Sequence, residues 1–312
     1  ISVLLATVFA LSVIGCGTKD TKEQDAYRQY GITCMESGKY EDAVKAFQNA
    51  LGESIGHIGE KELDICFYKA KAQALDGKTK DALATYDAII KYNKDARAYY
   101  LRGDLYMDMG EEKKGRADFE SAVQQGKKNY EIYIGIYESL SRHEKKDEGQ
   151  KYLSAAMEIK GDKPEDELYK GRISYLLGEN KDAISYLEKA KEHKQMLASY
   201  YLGLAYDANG DSDKAKKCIA EYIKSGVATS YDLYELGMQE MQDGNYKNAL
   251  TYFNSGLELE KVPNKQNLMK SAIAAYEYSG DFDSAKKMMK EYLKAYPDDE
   301  EAKHENTFLE TR

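Results

Sequence analysis

Ala98-Tyr99-Tyr100-Leu101-Arg102-Gly103-Asp104-Leu105-Tyr106 is the stretch that decides the fold. Its apolar residues fall at helical spacing, and the pattern closes near Met109-Gly110. Glu112 to Val123 then begins charged and sets Ala117, Phe119 and Val123 on one stripe, which predicts a second helix after a short turn. The pair returns along the chain. Small residues stand at Ala43, Ala82, Gly115, Gly149, Ala183, Ala215, Ala249 and Ala285, separated by 39, 33, 34, 34, 32, 34 and 36 residues. Four residues after each comes a large apolar side chain: Phe47, Tyr86, Phe119, Leu153, Leu187, Ile219, Phe253 and Met289. A second small-residue register precedes them by about twelve residues, at Gly31, Ala70, Gly103, Gly135, Gly171, Gly203 and Gly237, with Ile273-Ala274 last. Small residues let two helices cross closely, and the large residue one turn on fills the neighbouring gap. A turn glycine separates the helices in seven of eight units, at Gly38, Gly77, Gly110, Gly178, Gly210, Gly244 and Gly280. The fourth unit has Ser141 to Asp147 there instead, which predicts an irregular loop. A period near 34 means one supersecondary unit copied and stacked, so a solenoid whose function is binding is expected.

These residues resemble the tetratricopeptide repeat (TPR) pattern. The first unit carries it as Tyr27, Gly31, Gly38, Tyr40, Ala43, Phe47 and Ala50, and the seventh as Leu233, Gly237, Gly244, Tyr246, Ala249 and Phe253. The eighth reads Tyr276, Gly280, Phe282, Ala285 and Pro297. The match runs over residues 24–297. It departs from the family where the end-of-unit proline is mostly missing and where Gly52 to Lys61 lengthens the first unit. The resemblance implies an all-α, right-handed α-solenoid of about eight helix pairs, whose first helices line a concave ligand-binding groove. By register, the fifth position of the units includes Arg28, Phe67, Tyr100, Tyr200 and Tyr234, and the ninth includes Lys71, Asp104, Arg172 and Met238. Arg97 and Tyr231 lie nearby. The expected groove is aromatic and apolar, with isolated charges at Lys71, Arg97, Asp104 and Arg172, and it suits a protein or peptide ligand. The other reading is that these tyrosines pack against neighbouring first helices. No Asn occupies the ninth position, so the resemblance excludes the subclass that clamps a C-terminal carboxylate with Asn.

Residues 1–15 are uncharged and mostly apolar, too few to span a bilayer comfortably, and have the length of a signal-peptide core. Val13-Ile14-Gly15-Cys16 resembles a lipobox, which implies lipidation of Cys16, with residues 16–23 as the lipidated cysteine and its tether. The competing reading is a short anchor that is never cleaved. Lipidation implies attachment to the extracytoplasmic face of a bacterial cell membrane, with a Gram-positive surface and a Gram-negative periplasm both compatible. Residues 298–312 read as a C-terminal capping helix, with Ala302 and Phe308-Leu309 to cover the last unit.

Formal net charge is −9 with both signs interspersed, which argues against a nucleic-acid partner. Cys34, Cys66 and Cys218 read as buried thiols, with a Cys34–Cys66 disulfide as the alternative. The four histidines are scattered, and no metal site, cofactor-binding motif or catalytic constellation is found. The expectation is therefore a non-catalytic, membrane-anchored scaffold. A structural subunit of an envelope, pilus or secretion complex is the alternative. Binding to cell wall or carbohydrate is weaker, because the chain has no Trp to stack on sugar rings.

Overall fold

The computed structural model describes residues 21–54, 58–161 and 163–312; Cys16 and the apolar run before it lie outside the described residues. Among the described residues the chain is helical throughout, with seventeen helices and no strand. Sixteen form eight pairs, each with a first (A) and second (B) helix: α1 (Thr21–Glu36) with α2 (Tyr40–Gly52), α3 (Glu60–Leu75) with α4 (Thr79–Asn93), α5 (Ala96–Asp108) with α6 (Glu112–Gln125), and α7 (Tyr130–Arg142) with α8 (Lys146–Met157). The pairs continue as α9 (Pro164–Leu177) with α10 (Asn180–Glu192), α11 (Ala198–Ala208) with α12 (Ser212–Lys224), α13 (Ser230–Gln242) with α14 (Tyr246–Leu257), and α15 (Lys265–Tyr278) with α16 (Phe282–Ala295). A single helix, α17 (Glu300–Leu309), follows. The chain is thus an α-solenoid of helix pairs. Contacts divide it into two compact blocks, Ile1–Lys217 and Cys218–Arg312.

Local chemistry sets the helix boundaries. Asp95 accepts from the backbone N–H groups of Arg97 and Ala98 at the start of α5, and Thr229 with Asp232 forms a reciprocal capping box at the start of α13. All seven turn glycines have positive φ, between 69° and 84°, a conformation that costs glycine nothing. At Gly110 the N–H donates to the Met107 carbonyl at 2.9 Å and the next N–H, of Glu111, donates to Tyr106 at 2.8 Å. The fourth repeat departs from the expected irregular loop: Glu144 takes the same left-handed place, with φ of 61°. Its N–H donates to Ser141 at 3.1 Å, and that of Lys145 to Leu140 at 2.8 Å. The two backbone bonds that close the turn hold it without glycine.

The large residues four after each small residue are all buried, and Phe47, Phe119, Leu153, Leu187 and Phe253 are fully so. Phe47, Phe119, Leu187 and Phe253 fill the crossings of their own pairs, against Gly31, Gly103, Gly171 and Gly237. A Cβ on Gly103 would come within 2.9 Å of the Phe119 ring. The fourth repeat is built differently, and this corrects the assignment of Gly135 to the crossing. Gly135 stands fourteen residues before Gly149, whereas the residue twelve before it is Tyr137. At the α7–α8 crossing Gly149 lies against Tyr137, whose Cα is 3.1 Å from where a Cβ on Gly149 would stand. The Tyr137 hydroxyl donates to the Leu176 carbonyl of α9 at 3.4 Å, so its ring, with Cδ2 against Gly149, reaches from the crossing to the next repeat. Gly135 instead makes room for Tyr100 of the preceding repeat.

Each block has a face formed by A helices. In the first block α1 touches α3, α5 touches α7 and α9 touches α11; in the second, α13 touches α15. Among the described residues no two consecutive B helices approach each other as closely.

Candidate functional site

Side chains of the A helices divide into those that tie repeats together and those left facing solvent. Arg28 on α1 donates from Nε to Asp64 of α3 at 2.8 Å, and its guanidinium lies 5.2 Å from the centre of the Tyr68 ring. Asp104 on α5 accepts from Arg142 of α7 at 2.6 Å. Arg172 on α9 donates to Glu138 of α7 at 2.9 Å and to Glu131 at 3.3 Å, and lies 5.5 Å over the Tyr201 ring. Burial opposes the Arg172 charge, but Tyr201 and the two carboxylates outweigh it and raise its pKa. Isolated charges at Asp104 and Arg172 were expected; both are in fact ion-paired to the neighbouring repeat. Their partners Asp64, Arg142, Glu131 and Glu138 were missed by sequence reasoning. The available signal was opposite charges 34 to 41 residues apart on successive A helices. Part-exposed pairs of this kind contribute about 0–1 kcal/mol each, so they orient repeats more than they hold them.

The aromatic residues are mostly spoken for as well. Phe67 is 5% exposed and packs with Ala70, Tyr86, Ile89 and Ala98. Burial there pushes the Tyr86 phenol up to about 12. Tyr100 stacks on Phe119 with ring centres 6.4 Å apart, and burial, followed by the Asp104 and Glu138 carboxylates, pushes its phenol up. Tyr200 is buried, with its ring edge to face with Tyr201 at 5.1 Å. In the second block Tyr234 is half-buried against Phe253, and the Met238 sulfur accepts from the Ser271 hydroxyl at 3.6 Å.

Three of the expected residues remain open. Lys71 on α3 is exposed, and Arg97 at the start of α5 is exposed with its guanidinium 4.2 Å over the Phe67 ring. Neither forms an ion pair among the described residues. Tyr231 at the start of α13 is 56% exposed. A cation over a ring face and an exposed phenol are groups that hold carboxylates and apolar segments. Among the described residues no disulfide joins Cys34, Cys66 and Cys218, and burial pushes the Cys66 thiol up. Among the described residues no three His, Cys, Asp or Glu side chains assemble to hold a metal ion, and no helix is long and apolar enough to cross a membrane.

Comparison with known proteins places repeats of one kind on this architecture. A tetratricopeptide repeat model matches residues 69–130, and a second tetratricopeptide repeat model matches residues 197–225 and 266–299. No curated protein matches the chain. Among solved structures it is similar to a tetratricopeptide repeat protein from Parabacteroides merdae, at 12% identity and a TM-score of 0.48, covering 81% of this chain and 99% of that one. It is also similar to PilW, described as a widely conserved type IV pilus biogenesis factor, at 18% identity and a TM-score of 0.44, covering 67% and 97%. A third likeness is to the APC/C hetero-tetramer Cut9–Hcn1, at 15% identity and a TM-score of 0.45, covering 92% and 56%. None of these structural likenesses carries an argument about what this chain binds. Tetratricopeptide repeats are scaffolds for protein–protein interaction. The chain therefore carries tetratricopeptide repeats on an α-solenoid of paired helices.

Proposed function

We propose that this chain is a non-catalytic scaffold that holds a protein or peptide segment on its A helices and is anchored by lipid on Cys16 to the extracytoplasmic face of a bacterial membrane. The observation that carries the binding part is the exposure of Lys71, Arg97 and Tyr231 on A helices whose other charged groups at matching positions are bound to neighbouring repeats. Two cations that form no ion pair among the described residues suit acidic side chains of a partner segment, and an exposed tyrosine offers contact area at low entropic cost. The anchor part is supported by Val13-Ile14-Gly15-Cys16 at the end of an apolar run.

In-cell crosslinking with mass spectrometry tests the binding part, comparing the wild type with a Lys71→Ala, Arg97→Ala, Tyr231→Ala variant. All three substitutions are at exposed positions and leave the core intact. Partners lost in the variant support the reading. Partners kept by both place the interface away from these residues and favour a fixed assembly subunit. Metabolic labelling with palmitate tests the anchor separately: Cys16→Ala is expected to lose label and leave the membrane fraction. Retention of both would remove the lipid anchor while leaving the binding result untouched.

A further inference from the structure

The last helix sits on α15 and α16 through two apolar contacts and a set of carboxyl groups. Ala302 and Leu309 are buried with Met269, Ile273, Ala285, Met289 and Tyr292. Beside them is a cavity of about 160 Å³ between α15, α16 and α17, into which Glu277 of α15 and Glu305 of α17 both face. One oxygen of Glu277 is buried and accepts from no donor among the described residues. Two facing carboxylates supply only acceptors; a proton on either one turns the contact into an O–H···O bond.

We propose that Glu277 keeps a proton while α17 is seated, donating it toward the Glu305 carboxylate, and that its loss frees the C-terminal half of α17, making this helix a pH-responsive lid over the pocket beneath it. The other groups around the pair are already matched. Lys270 of α15 binds Asp299 at 2.8 Å and lies 3.9 Å from Glu301. The Tyr292 hydroxyl of α16 donates to Asp299 at 2.5 Å, and Lys303 of α17 pairs with Glu300 at 2.7 Å. Helices α13 and α14 meet α15 at Ser271 and Tyr276, through Met238 and Asn254. Burial, and after it the charge and hydrogen bond of Glu305, push the Glu277 carboxyl up to about 7 from an ordinary value of 4.5.

The sign follows from linkage. The seated helix retains a proton that the released helix gives up, so the seating is complete below about pH 4.5 and weakens as pH rises through about 7. The Asp299 tie behaves oppositely. Lys270, Tyr292 and the Ala302 N–H hold its carboxyl well below the usual carboxylate range, so it stays charged and bonded at neutral pH. The start of α17 therefore remains attached while the end carrying Glu305 and Leu309 lifts.

Hydrogen–deuterium exchange on the full chain, at about pH 5 and about pH 8 and corrected for intrinsic rates, reads this directly. Protection of residues 305–309 is expected to fall at least about tenfold at the higher pH, relative to α15. In Glu305→Gln the fall is expected to shrink, because the amide donates to the Glu277 oxygen and only the burial of Glu277 still favours its proton. Leu309→Ala removes apolar seating but no titrating group, so protection is expected to drop equally at both pH values. A wild type whose protection is the same at both pH values overturns the proposal. So does a Glu305→Gln protein that keeps the wild-type pH response, or a Leu309→Ala protein that loses it.

Discussion

Gly135 shows how one residue links two repeats. A Cβ there would fall 2.6 Å from Cζ of Tyr100, a ring that also stacks on Phe119 and cannot retreat into its own pair. Gly135→Ala is therefore expected to cost about 1–3 kcal/mol, the usual range for forcing extra volume into a packed contact. Urea unfolding checks this, and shortening the ring by Tyr100→Leu in the same protein should recover part of the loss, because the two residues are in contact. Unchanged stability in Gly135→Ala would mean that Tyr100 does not occupy this contact. A glycine near the right spacing was visible in the sequence; its job was not. The slip of two residues that sends Tyr137 to the α7–α8 crossing becomes visible only when the helices are laid against each other.

Within single elements, the turn between α7 and α8 carries the clearest test. Glu144 occupies a left-handed position that glycine fills in the other seven turns between paired helices. An L side chain there costs about 1–2 kcal/mol relative to glycine, partly offset by the greater freedom of glycine in the unfolded chain. Glu144→Gly should raise stability by about 0.5–1 kcal/mol, measured by thermal or denaturant unfolding. A decrease would mean that the Glu144 side chain makes a contact worth more than the strain. Seven turns were legible because glycine marks them. The eighth was misread because the closing bonds are backbone bonds, which leave no trace in residue type.

For the molecule as a whole, stability is expected to be a sum over pairs and their interfaces, since each repeat touches little beyond its neighbours. A repeat array needs a finished end. Helix α17 supplies one by burying Ala302 and Leu309, while Phe308, expected to join them, is 44% exposed with the Arg312 guanidinium 4.7 Å over its ring. Helical spacing explains the difference: Ala302 and Leu309 are two turns apart on one face, and Phe308 lies off that face. Removal of residues 299–312 would uncover Ile273, Met289 and Tyr292, so the shortened chain is expected to self-associate. Size-exclusion chromatography with light scattering distinguishes the outcomes, and a shortened chain that stays monomeric at the same concentration would count against α17 as the finishing element.

The sequence by itself determined the helix pairs, their number, the residues buried at all but one crossing and the positions of seven turns. Stacking repeats the same steric demand about every 34 residues, and that demand writes a period into residue size. Only the tertiary structure decided which charges and rings remain available. Arg28, Asp104 and Arg172 are charged, as Lys71 and Arg97 are, and share the A helices with them, yet the first three are bound to the next or preceding repeat. Phe67, Tyr100 and Tyr200 likewise turn inward or between repeats, while Tyr231 does not. Availability depends on what stands opposite each side chain, which is a property of two repeats together and cannot be read from either alone.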